Sequence, residues 1–135
     1  CPAMVEVPEP EYFPFRDLVG FTVEHGEARG VATLDIDDRH LNPNRVLHGG
    51  VAYSMVDTAM GAATMSVLDE GLACATIEIH IRYLAPCAGG AIRAEASVRR
   101  AGRRIVHLDA SVVDDAGTEI VAATGSFAVI TLRPS

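Results

Sequence analysis

Residues 49–68 constrain this chain more than any other stretch, because they read as one helix that is apolar on most of its faces. Such a helix has to be covered nearly all round. The rest of the chain offers strands to cover it. Residues 21–24 are a short strand, with His25-Gly26-Glu27 as a turn, and residues 30–36 alternate with Ala32, Leu34 and Ile36 on one face. After the helix, residues 75–84 set Ala75, Ile77, Ile79, Ile81 and Tyr83 against Thr76, Glu78, His80 and Arg82. Residues 92–100 turn Ile92, Ala94, Ala96 and Val98 inward, and residues 105–113 turn Val106, Leu108, Ala110 and Val112 inward. Residues 119–132 are apolar on both faces, as in a strand with neighbours on each side. Gly89-Gly90, Ala101-Gly102 and residues 114–117 separate these strands. The order is two strands, one long helix, then a run of long antiparallel strands. An α+β fold results, in which a curved antiparallel sheet wraps around the central helix.

The flanking segments are read more simply. Pro2, Pro8, Pro10 and Pro14 make residues 1–14 an extended N-terminal arm, followed by one domain over residues 15–135. Residues 15–19 form one helical turn before Gly20. Residues 37–40 are a loop with His40 solvated. Asp69-Glu70-Gly71 ends the long helix, with Gly71 in the left-handed C-terminal position.

A length of 135 residues fits one domain with one core. The formal charge of −7 argues against a nucleic-acid surface. No apolar run spans a bilayer, since residues 51–68 contain Asp57 and two glycines. No secretory signal is legible, and the chain opens on Cys1 rather than Met. Cys1, Cys74 and Cys87 cannot all pair internally and lack metal spacing, which favours reduced thiols in a cytoplasmic protein.

One constellation carries chemistry: Asn42, His48, Gly49, Gly50 and Asp57. His48-Gly49-Gly50 stands where the helix begins, and free N–H groups there favour an anion or a developing oxyanion. Asp57 lies two turns on, a carboxylate in apolar surroundings. Gly50, Ser54, Asp57, Thr58, Gly61 and Thr64 share a stripe of small or polar residues. That stripe is either a close helix-packing seam or the wall of an active site. No serine lies in a nucleophile-elbow sequence. His80 and His107 sit on outward strand faces, and no metal-ligand spacing occurs.

With Asn42 six residues before His48 and Asp57 nine after it, this stretch resembles the hotdog-fold acyl-CoA thioesterases of the phenylacetic-acid-pathway (PaaI-like) type. The resemblance extends over about residues 15–130. It implies a hydrolase of acyl-CoA in which the Gly49 N–H polarises the thioester carbonyl, Gly50 supports close approach, and Asp57 acts as general base or nucleophile. Asn42 and His48 would orient water or shape the loop, and Thr76 would position water. The acyl group, aromatic or medium-chain, would run past Ser54, Thr58 and Gly61. Coenzyme A belongs to the substrate, so no cofactor and no metal is implied. The same fold also serves two alternatives: a binding module that does not hydrolyse acyl-CoA, and a dehydratase of hydroxyacyl thioesters.

Arg99, Arg100, Arg103 and Arg104 surround the turn at Ala101-Gly102. They are either a solvated hairpin tip or a contact zone for the phosphates of coenzyme A. Gly49 and Asp57 are eight residues apart, ~12 Å along a helix axis. One straight helix cannot bring both to one carbonyl, whereas a two-fold pair of antiparallel helices can. A homodimer with shared sites follows, and the resemblance implies its further pairing into a homotetramer.

Overall fold

The structure is a computed structural model and describes residues 12–132. Most of the arm read for residues 1–14 therefore lies outside the described residues. Pro14 instead opens helix α1 (Pro14–Val19), where a proline suits the first turn.

The remaining elements are β1 (Thr22–Gly26), β2 (Arg29–Asp35), a 3-10 turn at Asp38–His40, α2 (Gly49–Met65), β3 (Leu72–Tyr83), β4 (Ala91–Ala101), β5 (Ile105–Asp114) and β6 (Glu119–Thr131). The strands form one antiparallel sheet in the order β1-β2-β4-β5-β6-β3. Strand β6 has a neighbour on each side, as its two apolar faces suggest. Helix α2 touches all six strands. The fold is the hotdog arrangement: a long helix held in a curved, unclosed sheet.

Burial of α2 explains its composition. Ala52, Met55, Val56, Ala59, Met60 and Ala63 are each at most 1% exposed. They share one core with Ile92, Ala94, Val106, Leu108, Val112, Val121 and Phe127. Each large side chain buried there contributes about 1.5–3 kcal/mol relative to exposure. Close approach is as important as area. A Cβ on Gly30 would collide with the Ala59 carbonyl oxygen and crowd the Ala63 amide, so glycine lets β2 lie against the helix backbone.

Three expectations need correction. The helix ends at Met65, before residues 69–71, because Ser66 Oγ donates to the Ala63 carbonyl (2.6 Å) and accepts from the Ala28 amide (2.9 Å). That pair of bonds ties the helix end to the β1–β2 turn. Gly71 is left-handed (φ 87°), but it serves the turn into β3. The alternation expected over residues 75–84 is broken by a bulge between Thr76 and Glu78, which leaves Ile77 52% exposed. Cys74 and Thr76 reach α2 before the bulge, and Ile79, Ile81 and Tyr83 lie on its side after it. Finally, His40 is buried. Its Nδ1 accepts from the Asp37 amide (2.9 Å) and its Nε2–H donates to the Val19 carbonyl (2.6 Å), so it pins α1 to the loop leading into α2.

Candidate active site

The entry loop is shaped by its own polar groups. Asn42 Oδ1 accepts from the Asn44 amide (2.9 Å), and the Asn42 amide donates to the Val46 carbonyl (2.8 Å). These bonds close a tight turn that includes Arg45 in the left-handed region (φ 62°). The Leu47 amide donates to the Cys87 carbonyl and the His48 amide to the His40 carbonyl. Asn42 is thus a loop-shaping residue in this chain.

His48 is the N-cap of α2, and its Nδ1 accepts from the Gly50 amide (2.8 Å). The imidazole proton therefore resides on Nε2. The bond also occupies one of the two N–H groups that the sequence suggested for an anion. The Gly49 amide has no partner among the described residues. A single donor remains, at the positive end of a 17-residue helix. Tyr83 covers it from β3, donating its hydroxyl proton to the Gly49 carbonyl (2.8 Å). A Cβ at residue 49 would lie 2.9 Å from the Tyr83 ring, so glycine is needed for this stacking. Burial, and then Tyr53 nearby, pushes the Tyr83 hydroxyl above its ordinary range and keeps it a donor.

Asp57 is the centre of a second group. Thr76 Oγ1 donates to Asp57 Oδ1 (2.6 Å), the shortest side-chain bond from the sheet to this helix. It orients the carboxylate, no hydrogen bond reaches Oδ2 among the described residues, and Asp57 lines a cavity of about 610 Å³. Thr58, Gly61, Ala62 and Met65 continue the lining along α2, and Phe127 of β6 lines it as well. Gly61 has space around it: a Cβ there would meet only Phe127, at 3.8 Å. Cys74 lies beside Asp57, and its thiol is raised first by burial and then by that carboxylate. Thr64, read on the same stripe, is fully buried and donates back to the Met60 carbonyl.

The expected site residues thus fall into two places. Asn42 and Gly49 line a cavity of about 420 Å³ with Tyr83, Pro86 and Cys87. Asp57, Thr58, Gly61 and Thr76 line the larger one. Ser54 points back to the Gly50 carbonyl (2.8 Å). Within one chain Gly49 and Asp57 line different cavities. Arg99 is ion-paired with Asp109 (3.0 Å), whereas Arg103 and Arg104 are exposed at the β4–β5 hairpin. The hairpin is level with Thr76, through the register line Ala101, Val106, Phe127, Thr76. Tyr83 was legible only as a helix-facing strand residue, and nothing local marks it as the cover of Gly49.

The sequence matches the thioesterase superfamily over residues 44–121, a span that holds both groups. It is 40% identical over 91 residues to a putative esterase of Halobacterium salinarum, covering 62% of this chain and 60% of that one. It is 33% identical over 89 residues to the acyl-coenzyme A thioesterase PaaI of Escherichia coli, covering 65% of this chain and 61% of that one. The chain thus spans about three fifths of the length of these curated relatives. The solved structure of the E. coli PaaI protein superposes with a TM-score of 0.82 at 27% identity, over 91% of this chain and 90% of that one. A crystal structure of the BH2602 protein of Bacillus halodurans with CoA superposes with a TM-score of 0.84 at 29% identity, over 93% of this chain and 83% of that one.

Proposed function

The chain belongs to the thioesterase superfamily, and we propose that it hydrolyses an aromatic or medium-chain acyl-CoA to the free acid and CoA at sites shared between two copies. The observation that carries this reading is the division of the chemistry: Gly49, whose N–H is unpaired among the described residues, lines one cavity, and a Thr76-held Asp57 lines another. A base and an oxyanion donor act on one carbonyl only when both lie about 3 Å from the reacting group. A two-fold axis that sets α2 against its copy brings Asp57 of one chain to Gly49 of the other.

Each residue then has a part. The Gly49 N–H, with the helix dipole behind it, stabilises charge on the thioester oxygen. His48 takes the Gly50 N–H and leaves that of Gly49 free, so it positions the donor. Asp57 acts as base on water or as nucleophile, and Thr76 fixes its orientation while its lone pairs remain for a water. Ser54, Thr58 and Gly61 leave room for the acyl group, and Gly50 allows close approach. Arg103 and Arg104, joined by Arg99 if it leaves Asp109, meet the nucleotide phosphates. The dimers pair again into tetramers. A cytoplasmic setting fits the two described cysteines being free, and no helix among the described residues is long and apolar enough to cross a membrane.

The experiment is thiol release from a panel of aromatic and medium-chain acyl-CoAs. Hydrolysis that Asp57→Ala abolishes supports the reading. Tight acyl-CoA binding with no thiol release would make the protein a binding module instead.

A further inference from the structure

Gly49 and Asp57 are both held from one strand. Thr76 of β3 donates to the Asp57 carboxylate (2.6 Å), and Tyr83, at the other end of β3, donates to the Gly49 carbonyl (2.8 Å). Between them Tyr53 of α2 donates to the Ile79 carbonyl (3.4 Å). Side-chain hydroxyls thus lash α2 to β3 along the length that carries the proposed chemistry. Thr76 already has a part in that chemistry, whereas Tyr83 has none.

The Gly49 end needs such a hold. The peptide that carries the donor joins His48 to Gly49. Upstream of it, the His48 amide donates to the His40 carbonyl (2.8 Å) and the Leu47 amide to the Cys87 carbonyl (2.7 Å). Downstream, the chain enters the helix through Gly49 and Gly50. Neither has a side chain to pack, and the end of a helix is the part that frays. Tyr83 supplies what the glycines lack. Its ring lies where a Cβ on Gly49 would come within 2.9 Å of it, and its hydroxyl proton goes to the Gly49 carbonyl. Tyr83 itself is fixed by the sheet. It pairs with Val121 of β6, and the Leu84 amide after it donates to the Ile120 carbonyl (2.9 Å). The donor peptide is therefore held by the loop on one side and by the sheet on the other.

We propose that Tyr83 is a positioning residue for the oxyanion donor, whose ring and hydroxyl hold the first turn of α2 so that the Gly49 N–H stays aimed at the thioester oxygen. This deepens the hydrolase reading and rests on it. The hold matters most in the transition state, where charge develops on that oxygen. A donor free to tilt still admits substrate but stabilises the oxyanion less. Its loss belongs in kcat and leaves KM in place. Tyr83 also lines the Gly49 cavity, and a mere contact with bound substrate there would do the reverse and raise KM.

The test measures thiol release from whichever of phenylacetyl-CoA and octanoyl-CoA the wild type hydrolyses faster. Tyr83→Phe keeps the ring against Gly49 and deletes the bond, so kcat should fall about tenfold with KM within about twofold of wild type. Tyr53→Phe removes the neighbouring bond without touching Gly49 and should leave kcat within about twofold. A double-mutant cycle reads the contact itself. Gly49→Ala keeps the N–H but drives a Cβ into the ring, and should lower kcat about tenfold beside Tyr83 yet less than about threefold when added to Tyr83→Ala. Unchanged kcat in Tyr83→Phe overturns the inference, as does a loss confined to KM. An equal kcat loss in Tyr53→Phe overturns it too, and so does an equal cost of Gly49→Ala in both backgrounds. In each of those cases the wild type still hydrolyses, so the hydrolase reading stands. Thiol release by the wild type from neither thioester would instead overturn that reading, and this inference with it.

Discussion

At the scale of single residues, the proposed hydrolysis rests on Asp57. It sits half-buried on a helix whose other buried positions are apolar except for Thr64, and among the described residues it takes one hydrogen bond, from Thr76. Asp57→Asn keeps the shape and the bond to Thr76 but removes the base, so turnover should fall by about 100-fold or more with acyl-CoA affinity retained. Near wild-type turnover would remove Asp57 from the chemistry. A second consequence is readable at Cys74, whose thiol is raised first by burial and then by the Asp57 carboxylate. Removing that charge lowers the thiol's pKa and raises the thiolate fraction at a fixed pH. Alkylation of Cys74 by iodoacetamide near pH 8, followed by peptide mass spectrometry, should therefore be faster in Asp57→Asn than in wild type. An unchanged rate would show that the thiol does not feel the carboxylate. His48, Gly49 and Asp57 were legible because spacing on one helix places them without knowledge of the rest. Tyr83 and His40 were not, since their partners, the Gly49 and Val19 carbonyls, are 34 and 21 residues away in sequence.

At the scale of elements, the apolar periodicities located all six strands and α2, because each pattern is local and each face is buried. What they could not show was the bulge in β3. Ala75, Ile77 and Ile79 form an unbroken alternation in sequence, yet the ladder skips Ile77 and turns Thr76 toward Asp57. A bulge is decided by pairing with β6 and contact with α2, neither of which is a local property. The β2–α2 contact makes a stability prediction. Gly30→Ala drives a methyl group into the backbone of α2 and should cost about 2 kcal/mol or more, read as a lower urea midpoint with unchanged slope. Gly89→Ala, with nothing within 4 Å of the added carbon, is the neutral control. Equal midpoints would mean that β2 can back away from the helix. At the β4–β5 hairpin, replacing Arg103 and Arg104 by Ala should raise KM for acyl-CoA and flatten its salt dependence. An equal loss with a thioester that lacks the nucleotide would remove the phosphate contact.

At the scale of the whole molecule, the wrapping of one helix by one sheet followed from the all-round apolarity of α2, and the fold obeys it. A site shared between two chains is the proposal that the ~12 Å helical rise between Gly49 and Asp57 leads to. The two separate cavities in one chain support that division. Mixing two inactive proteins tests it most directly. One is Asp57→Ala. The other replaces Gly49 by Pro to delete the N–H, with Tyr83→Ala to make room for the ring that would otherwise meet it. Both must fold and exchange subunits, which circular dichroism and a labelled-subunit exchange assay establish first. Random exchange puts one intact site in each mixed dimer, so the mixture should recover about a quarter of wild-type thioester hydrolysis although neither parent is active. A mixture that exchanges subunits and stays inactive would contradict the shared site.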